Sequence, residues 1–254
     1  MIHVSLCIDM LFKDLPWEQR IARVKEVGAT AFEFWSWKNK DLEQTKALAN
    51  QHGLTIAAMV GGQTALTDPA LNKQAVADIL ASVEQAKALQ VETLIVTSGP
   101  EQEHLDRQTQ HDSIVTVLQQ VAKPLEEAGV TVVLEPLNTA VNHKGIYLAS
   151  SYEGYEILQA VNSPRVKLLY DVYHQQITEG NVIANIQEHI QWIGHFHIAD
   201  VPGRHEPGTG ELNYGNIFKA IAATDYQGYV GCEFQPEGDG TLAVKHVLEL
   251  ASEA

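Results

Sequence analysis

The chain has 254 residues, 45% of them hydrophobic, and carries 17 Lys and Arg against 32 Asp and Glu, a net charge of −15. Such an acidic chain offers no basic face to neutralise phosphates, which argues against a nucleic-acid ligand. No apolar run approaches the roughly 18 residues of a membrane span, so no membrane partner is expected.

The elements alternate from the start. HVSLCI (3–8) reads as a strand and WEQRIARVKEVG as a helix opened by Pro16 and closed by Gly28. AFEFW (31–35) is a second strand, followed by a helix over 41–52 that stops at Gly53. LTIAAMV (54–60) is a third strand, and Asp68-Pro69 opens a long helix through Leu89. ETLIVTSG (92–99) is the fourth, with a helix of about twenty residues ending near Gly129. VTVVLE (130–135) is the fifth; a polar loop over 136–145 and a helix over 151–161 lead to strand six, RVKLLYD (165–171). Residues 181–191 read as helix, WIGHFHIAD (192–200) as strand seven, 214–224 as helix, GYVGCEF (228–234) as strand eight and 239–252 as the last helix.

Eight β-α pairs at this length, with no linker or break in composition, predict one α/β domain over 1–254, a closed (β/α)8 TIM barrel. Neither GxGxxG nor GxxxxGK[ST] is present, so a nucleotide fold has no support. The two cysteines, Cys7 and Cys232, form no CxxC pair. MIHVSLCID lacks a basic leader region and reads as a strand, so a cytoplasmic protein is expected.

The ends of four strands carry ligand-type groups: Glu135, Asp171, His197 and Glu233. Their spacings are 36, 26 and 36 residues, each holding one helical segment, so all four fall on the same end of the barrel. In a TIM barrel the C-terminal strand ends are where chemistry is done. Three carboxylates and one imidazole suit a single divalent cation, Mg2+ or Mn2+, better than tetrahedral zinc. Glu135 and Glu233 then form a pair able to remove a proton from an α-hydroxycarbonyl compound and return it, which is isomerase or epimerase chemistry. Asp200, Arg204, His205 and Glu206 crowd the turn after strand seven. Glu33, inside an early strand, is balanced between a structural ion pair and support of a ligand. His195 shares a strand face with His197 and is expected deeper. His174, three residues past Asp171, reads as a loop residue. Trp35 and Trp37 either wall the substrate or pack the barrel rim.

GHFHIAD, VPGRHEPGTGELNY and GYVGCEFQP, with LEPLN and LLYDVYHQQITEGN, resemble the hydroxypyruvate isomerase family. That family belongs to the xylose isomerase-like barrel superfamily, with the ketose 3-epimerases and endonuclease IV. The resemblance implies metal binding and acid/base roles for Glu135 and Glu233, a third metal ligand in Asp171, and substrate contacts from His174 and Arg204. His197 stands where the epimerases carry a metal-binding His and hydroxypyruvate isomerases usually carry Gln. The expected substrate is a small sugar or hydroxy-oxo acid. Aldose–ketose isomerisation is the first reading, with ketose 3-epimerisation next and 3-oxo-acid decarboxylation third. An endonuclease IV-like nuclease would need more His ligands and a basic groove, and a non-catalytic metal-binding barrel would not need two opposed glutamates. Relatives are often homo-oligomers, but no heptad or apolar stripe in the chain supports a particular number.

Overall fold

A computed structural model describes residues 2–254. Eight parallel strands close into a barrel in the order β1 to β8. They are β1 (His3–Cys7), β2 (Ala31–Phe34), β3 (Thr55–Val60), β4 (Thr93–Thr97), β5 (Thr131–Glu135), β6 (Val166–Asp171), β7 (Ile193–Ile198) and β8 (Tyr229–Cys232). The helices are α1 (Trp17–Glu26), α2 (Leu42–His52), α3 (Asn72–Leu89), α4 (Arg107–Ala128), α5 (Ser151–Val161), α6 (Val172–Thr178), α7 (Val182–His189), α8 (Tyr214–Ala222) and α9 (Gly240–Ser252). The strands are near-continuous buried runs, as expected where both faces of a parallel sheet are covered.

The local signals explain where elements begin and end. The carboxylates of Asp41, Asp106 and Asp239 accept backbone N–H groups in the first turns of α2, α4 and α9. Gly53 and Gly129 take left-handed φ of 64° and 71° to end α2 and α4.

By its contacts the chain divides into two compact units. The first runs to Met59 and adds Asn181–Gln191 and Phe196–Ala254. Within it β2 shifts register against β3 between Phe32 and Glu33, so that Phe32 faces Ile56 and Glu33 faces Ala58. An irregularity of this kind re-aims a side chain, here the buried Glu33 carboxylate. The second unit is Val60–Gly180 with Trp192–His195. Its β4–β5 ladder pairs Thr97 with Glu135 at the C-terminal end.

Three stretches differ from the sequence expectation. A 3-10 turn at Pro69–Leu71 precedes α3, and a second one, Ile190–Trp192, follows α7. The DVYH segment is helical, not a loop: α6 starts straight off β6. The reason is local, because Asp171 caps the helix with its own side chain. Among the described residues no helix is long and apolar enough to cross a membrane.

Candidate active site

In the first unit the site is built around Glu233, immediately past the end of β8 and 7% exposed. Its two oxygens have different partners. The Trp35 indole N–H donates to Oε1 at 2.8 Å. The Arg204 guanidinium donates to Oε2 through Nη2, and its Nε reaches the Glu233 carbonyl at 3.4 Å. His197 Nδ1 stands 3.4 Å from Oε2. Burial, the largest influence, pushes this carboxyl up, but the charges of His197 and Arg204 and the hydrogen bonds from His197 and Trp35 together outweigh it and hold it at about 2. Glu233 is therefore held as a carboxylate.

Trp35 is itself anchored. Its backbone N–H donates to Asp9 Oδ2 at 2.8 Å, and Lys40 Nζ meets the same oxygen at 3.1 Å. Arg204 reaches Glu233 from a left-handed backbone, with φ 61° following Gly203 at 96°. That conformation is uncommon for a residue with a Cβ and is the kind of strain that gathers at functional sites.

Behind His197 lies Glu33. Its Oε1 is 2.7 Å from His197 Nε2, a close polar contact, and its Oε2 accepts from Ser5 Oγ at 2.6 Å. Gly231, paired with His197 across the β7–β8 ladder, makes room for this carboxylate: a Cβ there would stand 2.6 Å from Glu33 Oε1. Of the two readings left open for Glu33, this places it against a ligand-type residue.

The crowded turn after β7 sorts into different roles. Asp200 Oδ1 accepts from Val201 N and Leu212 N, and Oδ2 from Gly208 N, so this carboxylate shapes the loop. His205 Nδ1 lies 2.7 Å from the Gln235 carbonyl, and Glu206 accepts from Glu237 N. Only Arg204 of this group reaches Glu233.

In the second unit Asp171 divides its oxygens. Oδ1 caps α6 by accepting from Tyr173 N at 2.8 Å and His174 N at 3.3 Å, while Oδ2 lies 3.5 Å from His174 Nε2. His174 is fully buried and meets Asn138 on its other side. Glu135, 7% exposed, ends β5.

Of the ligand-type groups that close the strands, Glu135 and Asp171 are buried in the second unit, and His197 and Glu233 are buried in the first. His195 is buried as well, in the second unit. Three carboxylates and one imidazole are side chains of the kinds that a hard divalent cation prefers. Sequence reasoning proposed these four as ligands; it missed Asn138, Ser5 and the grip of Trp35 on Glu233. A large aromatic at the end of a strand was the signal for Trp35; Asn138 and Ser5 gave none.

A family model described as xylose isomerase-like TIM barrel matches residues 21–252. The chain belongs to the xylose isomerase-like TIM barrel family. It is 30% identical over 241 residues to 2-oxo-tetronate isomerase from Pectobacterium atrosepticum, covering 91% of each chain. It is 28% identical over 245 residues to hydroxypyruvate isomerase from Escherichia coli, covering 93% of this chain and 95% of that one. Both are isomerases, and the chain is an enzyme of that class. The resemblance read from RHEPGTGELNY and GCEF holds. Among solved structures, one described as AP endonuclease, family 2, from Brucella melitensis is similar with TM-score 0.91 and 28% identity, covering 98% of this chain and 99% of that one. D-psicose 3-epimerase from Clostridium cellulolyticum H10 is similar in fold, with TM-score 0.84 and 21% identity, covering 99% and 98% of the two chains.

Proposed function

We propose that this protein is a divalent-metal-dependent isomerase of small α-hydroxycarbonyl acids, of the hydroxypyruvate and 2-oxo-tetronate class. The observation that carries the reading is the buried Glu233 carboxylate, held ionised among Trp35, Arg204 and His197, in a chain that also buries the carboxylates of Glu135 and Asp171 at the ends of two strands. A bound Mg2+ or Mn2+ supplies Lewis acidity, which favours enolisation of an adjoining carbonyl. The rest is work for the chain's own side chains. Glu233, held ionised, removes the carbon-bound proton of the substrate. Glu135 returns a proton at the neighbouring carbon. His174 donates a hydrogen bond to a substrate oxygen, and Arg204 steadies the Glu233 carboxylate at the edge of the site.

Two further observations support an acid or sugar substrate over a nucleic acid. The net charge is −15, and the Arg204 guanidinium is engaged by Glu233. A second reading, epimerisation of a short ketose, is favoured by His197, the residue type that the ketose 3-epimerases carry at this position. A cytoplasmic location and assembly into homo-oligomers accord with either reading.

The test is turnover of hydroxypyruvate and of 2-oxo-tetronate with Mg2+ or Mn2+ supplied, then after treatment with EDTA. We expect aldehyde product with metal and loss of turnover with chelator. Turnover that is indifferent to EDTA would contradict the metal assignment. Inversion at C3 of a ketose without aldehyde product would replace the isomerase reading with the epimerase one.

A further inference from the structure

Asn138 and His174 both lie in the second unit and both are fully buried. The Asn138 backbone N–H donates to His174 Nδ1 at 3.2 Å. A backbone N–H can only donate, so Nδ1 meets it with a lone pair. The Asn138 side chain imposes the same polarity. Its Oδ1 accepts from Val141 N at 3.0 Å and Asn142 N at 3.2 Å. Those two backbone donors settle which end of the carboxamide is oxygen and which is nitrogen. The amide nitrogen then faces the ring: Nδ2 lies 2.6 Å from His174 Nδ1 and 3.1 Å from Asn142 Oδ1, one acceptor for each of its two hydrogens. Asn142 Oδ1 also accepts from the Tyr173 hydroxyl at 2.8 Å.

Two donors converging on one ring nitrogen leave no room for a hydrogen on it. The ring hydrogen therefore sits on Nε2, which lies 3.5 Å from Asp171 Oδ2. The His143 ring stands edge-on against His174 at 5.2 Å and holds the imidazole plane from the loop side.

We propose that Asn138 is a positioning residue that fixes His174 as the Nε2–H tautomer, so that His174 enters the reaction as a hydrogen-bond donor and not as a base. The proposal rests on the reading that His174 contacts the substrate. It divides the labour in the site: the glutamates move the proton, and His174 supplies a hydrogen bond to the oxygen on which negative charge develops. It also gives the 138–147 loop a purpose. The loop's own backbone N–H groups hold the Asn138 carboxamide in the orientation that dictates the tautomer.

The test is long-range 1H–15N NMR on the full chain labelled with 15N-histidine, without substrate, with and without Mg2+. His174 is assigned by its disappearance in His174→Gln. We expect Nδ1 without hydrogen and Nε2 with it. Asn138→Asp retains an acceptor for Val141 and Asn142 and keeps the backbone donor, but it replaces the nearer donor, 2.6 Å from the ring, with an acceptor, so the share of hydrogen on Nδ1 rises. A wild-type His174 with its hydrogen on Nδ1 would overturn the proposal, as would an Asn138→Asp spectrum unchanged from wild type. In turnover of hydroxypyruvate, Asn138→Asp should lower kcat by about tenfold or more, with a smaller change in KM, the pattern of an interaction made chiefly in the transition state. A shifted hydrogen with unchanged kcat would remove Asn138 from the chemistry. The expected spectra from a wild-type protein that turns over none of these substrates would sink the isomerase reading and leave the tautomer assignment standing.

Discussion

Trp35 and Glu233 are joined by a 2.8 Å hydrogen bond from the indole N–H to the carboxylate Oε1, linking the end of β2 to the end of β8. The bond orients a carboxylate that already has Arg204 on its other oxygen. Trp35→Phe keeps an aromatic ring and removes the donor. A hydrogen bond to a charged group contributes roughly 1.5–3 kcal/mol, so kcat should fall by about tenfold or more. Steady-state kinetics beside a circular-dichroism melt separates this from unfolding; an unchanged kcat would mean that Glu233 needs no orientation from Trp35.

Arg204 was expected to hold substrate, and its guanidinium is found on the Glu233 carboxylate. A residue that touches only substrate would raise KM when lost. One that grips the proposed base should lower kcat as well. Arg204→Ala is therefore expected to reduce kcat at least as strongly as it raises KM, read from full saturation curves. A pure KM effect would return Arg204 to substrate binding alone.

Glu33 contacts His197 at 2.7 Å. Partners behind a metal ligand typically change metal affinity by about 10–100-fold when altered; with His197 as the proposed ligand, Glu33→Gln should weaken Mn2+ binding within that range, measured by titration calorimetry. Gly231→Ala should act on the same contact, because its Cβ would stand 2.6–2.7 Å from the two Glu33 carboxylate oxygens. Such overpacking costs roughly 1–3 kcal/mol, so a lowered Tm is expected together with weaker metal binding. Full Mn2+ affinity in both variants would make Glu33 a structural residue only.

The exposed helix caps set part of the acid sensitivity. Backbone hydrogen bonds, from Thr109 to Asp106 and from Leu242 and Thr241 to Asp239, hold both carboxyls below their ordinary value of 3.8. A carboxylate depressed in the folded state contributes stability that is present above the unfolded value and lost as pH falls through the folded one. Asp106→Asn with Asp239→Asn keeps a capping oxygen and removes the charge. Its Tm should fall less steeply than that of wild type as pH drops below 3.8. Parallel Tm–pH curves would show that the caps do not couple to pH.

The barrel was legible because its strands are uninterrupted apolar runs separated by capped helices; β1 to β8 stand where the pattern put them. The four proposed ligands stood out in the sequence for the same reason: a polar side chain closing a buried run is conspicuous. What escaped was whatever depends on contacts distant in sequence. Ser5 reaches Glu33 across 28 positions and Trp35 reaches Glu233 across 198, and neither has a local signature. Helix α6 escaped because its cap, Asp171, was read only as a strand-end ligand. Asp200 escaped in the opposite sense: it has the chemistry of a ligand, but three backbone N–H groups of its own loop take its oxygens.

The measurement that tests the central claim most directly is proton exchange followed by NMR. The Mn2+- or Mg2+-loaded protein is incubated in D2O with hydroxypyruvate, tartronate semialdehyde and four- to six-carbon ketoses, beside Glu233→Gln treated identically. The account predicts deuterium at C3 of hydroxypyruvate with aldehyde product for wild type. For Glu233→Gln it predicts a loss of about a hundredfold or more, the usual scale of general acid–base catalysis, in a protein that still folds. Full exchange by Glu233→Gln, or no exchange by metal-loaded wild type with any of these substrates, would contradict it.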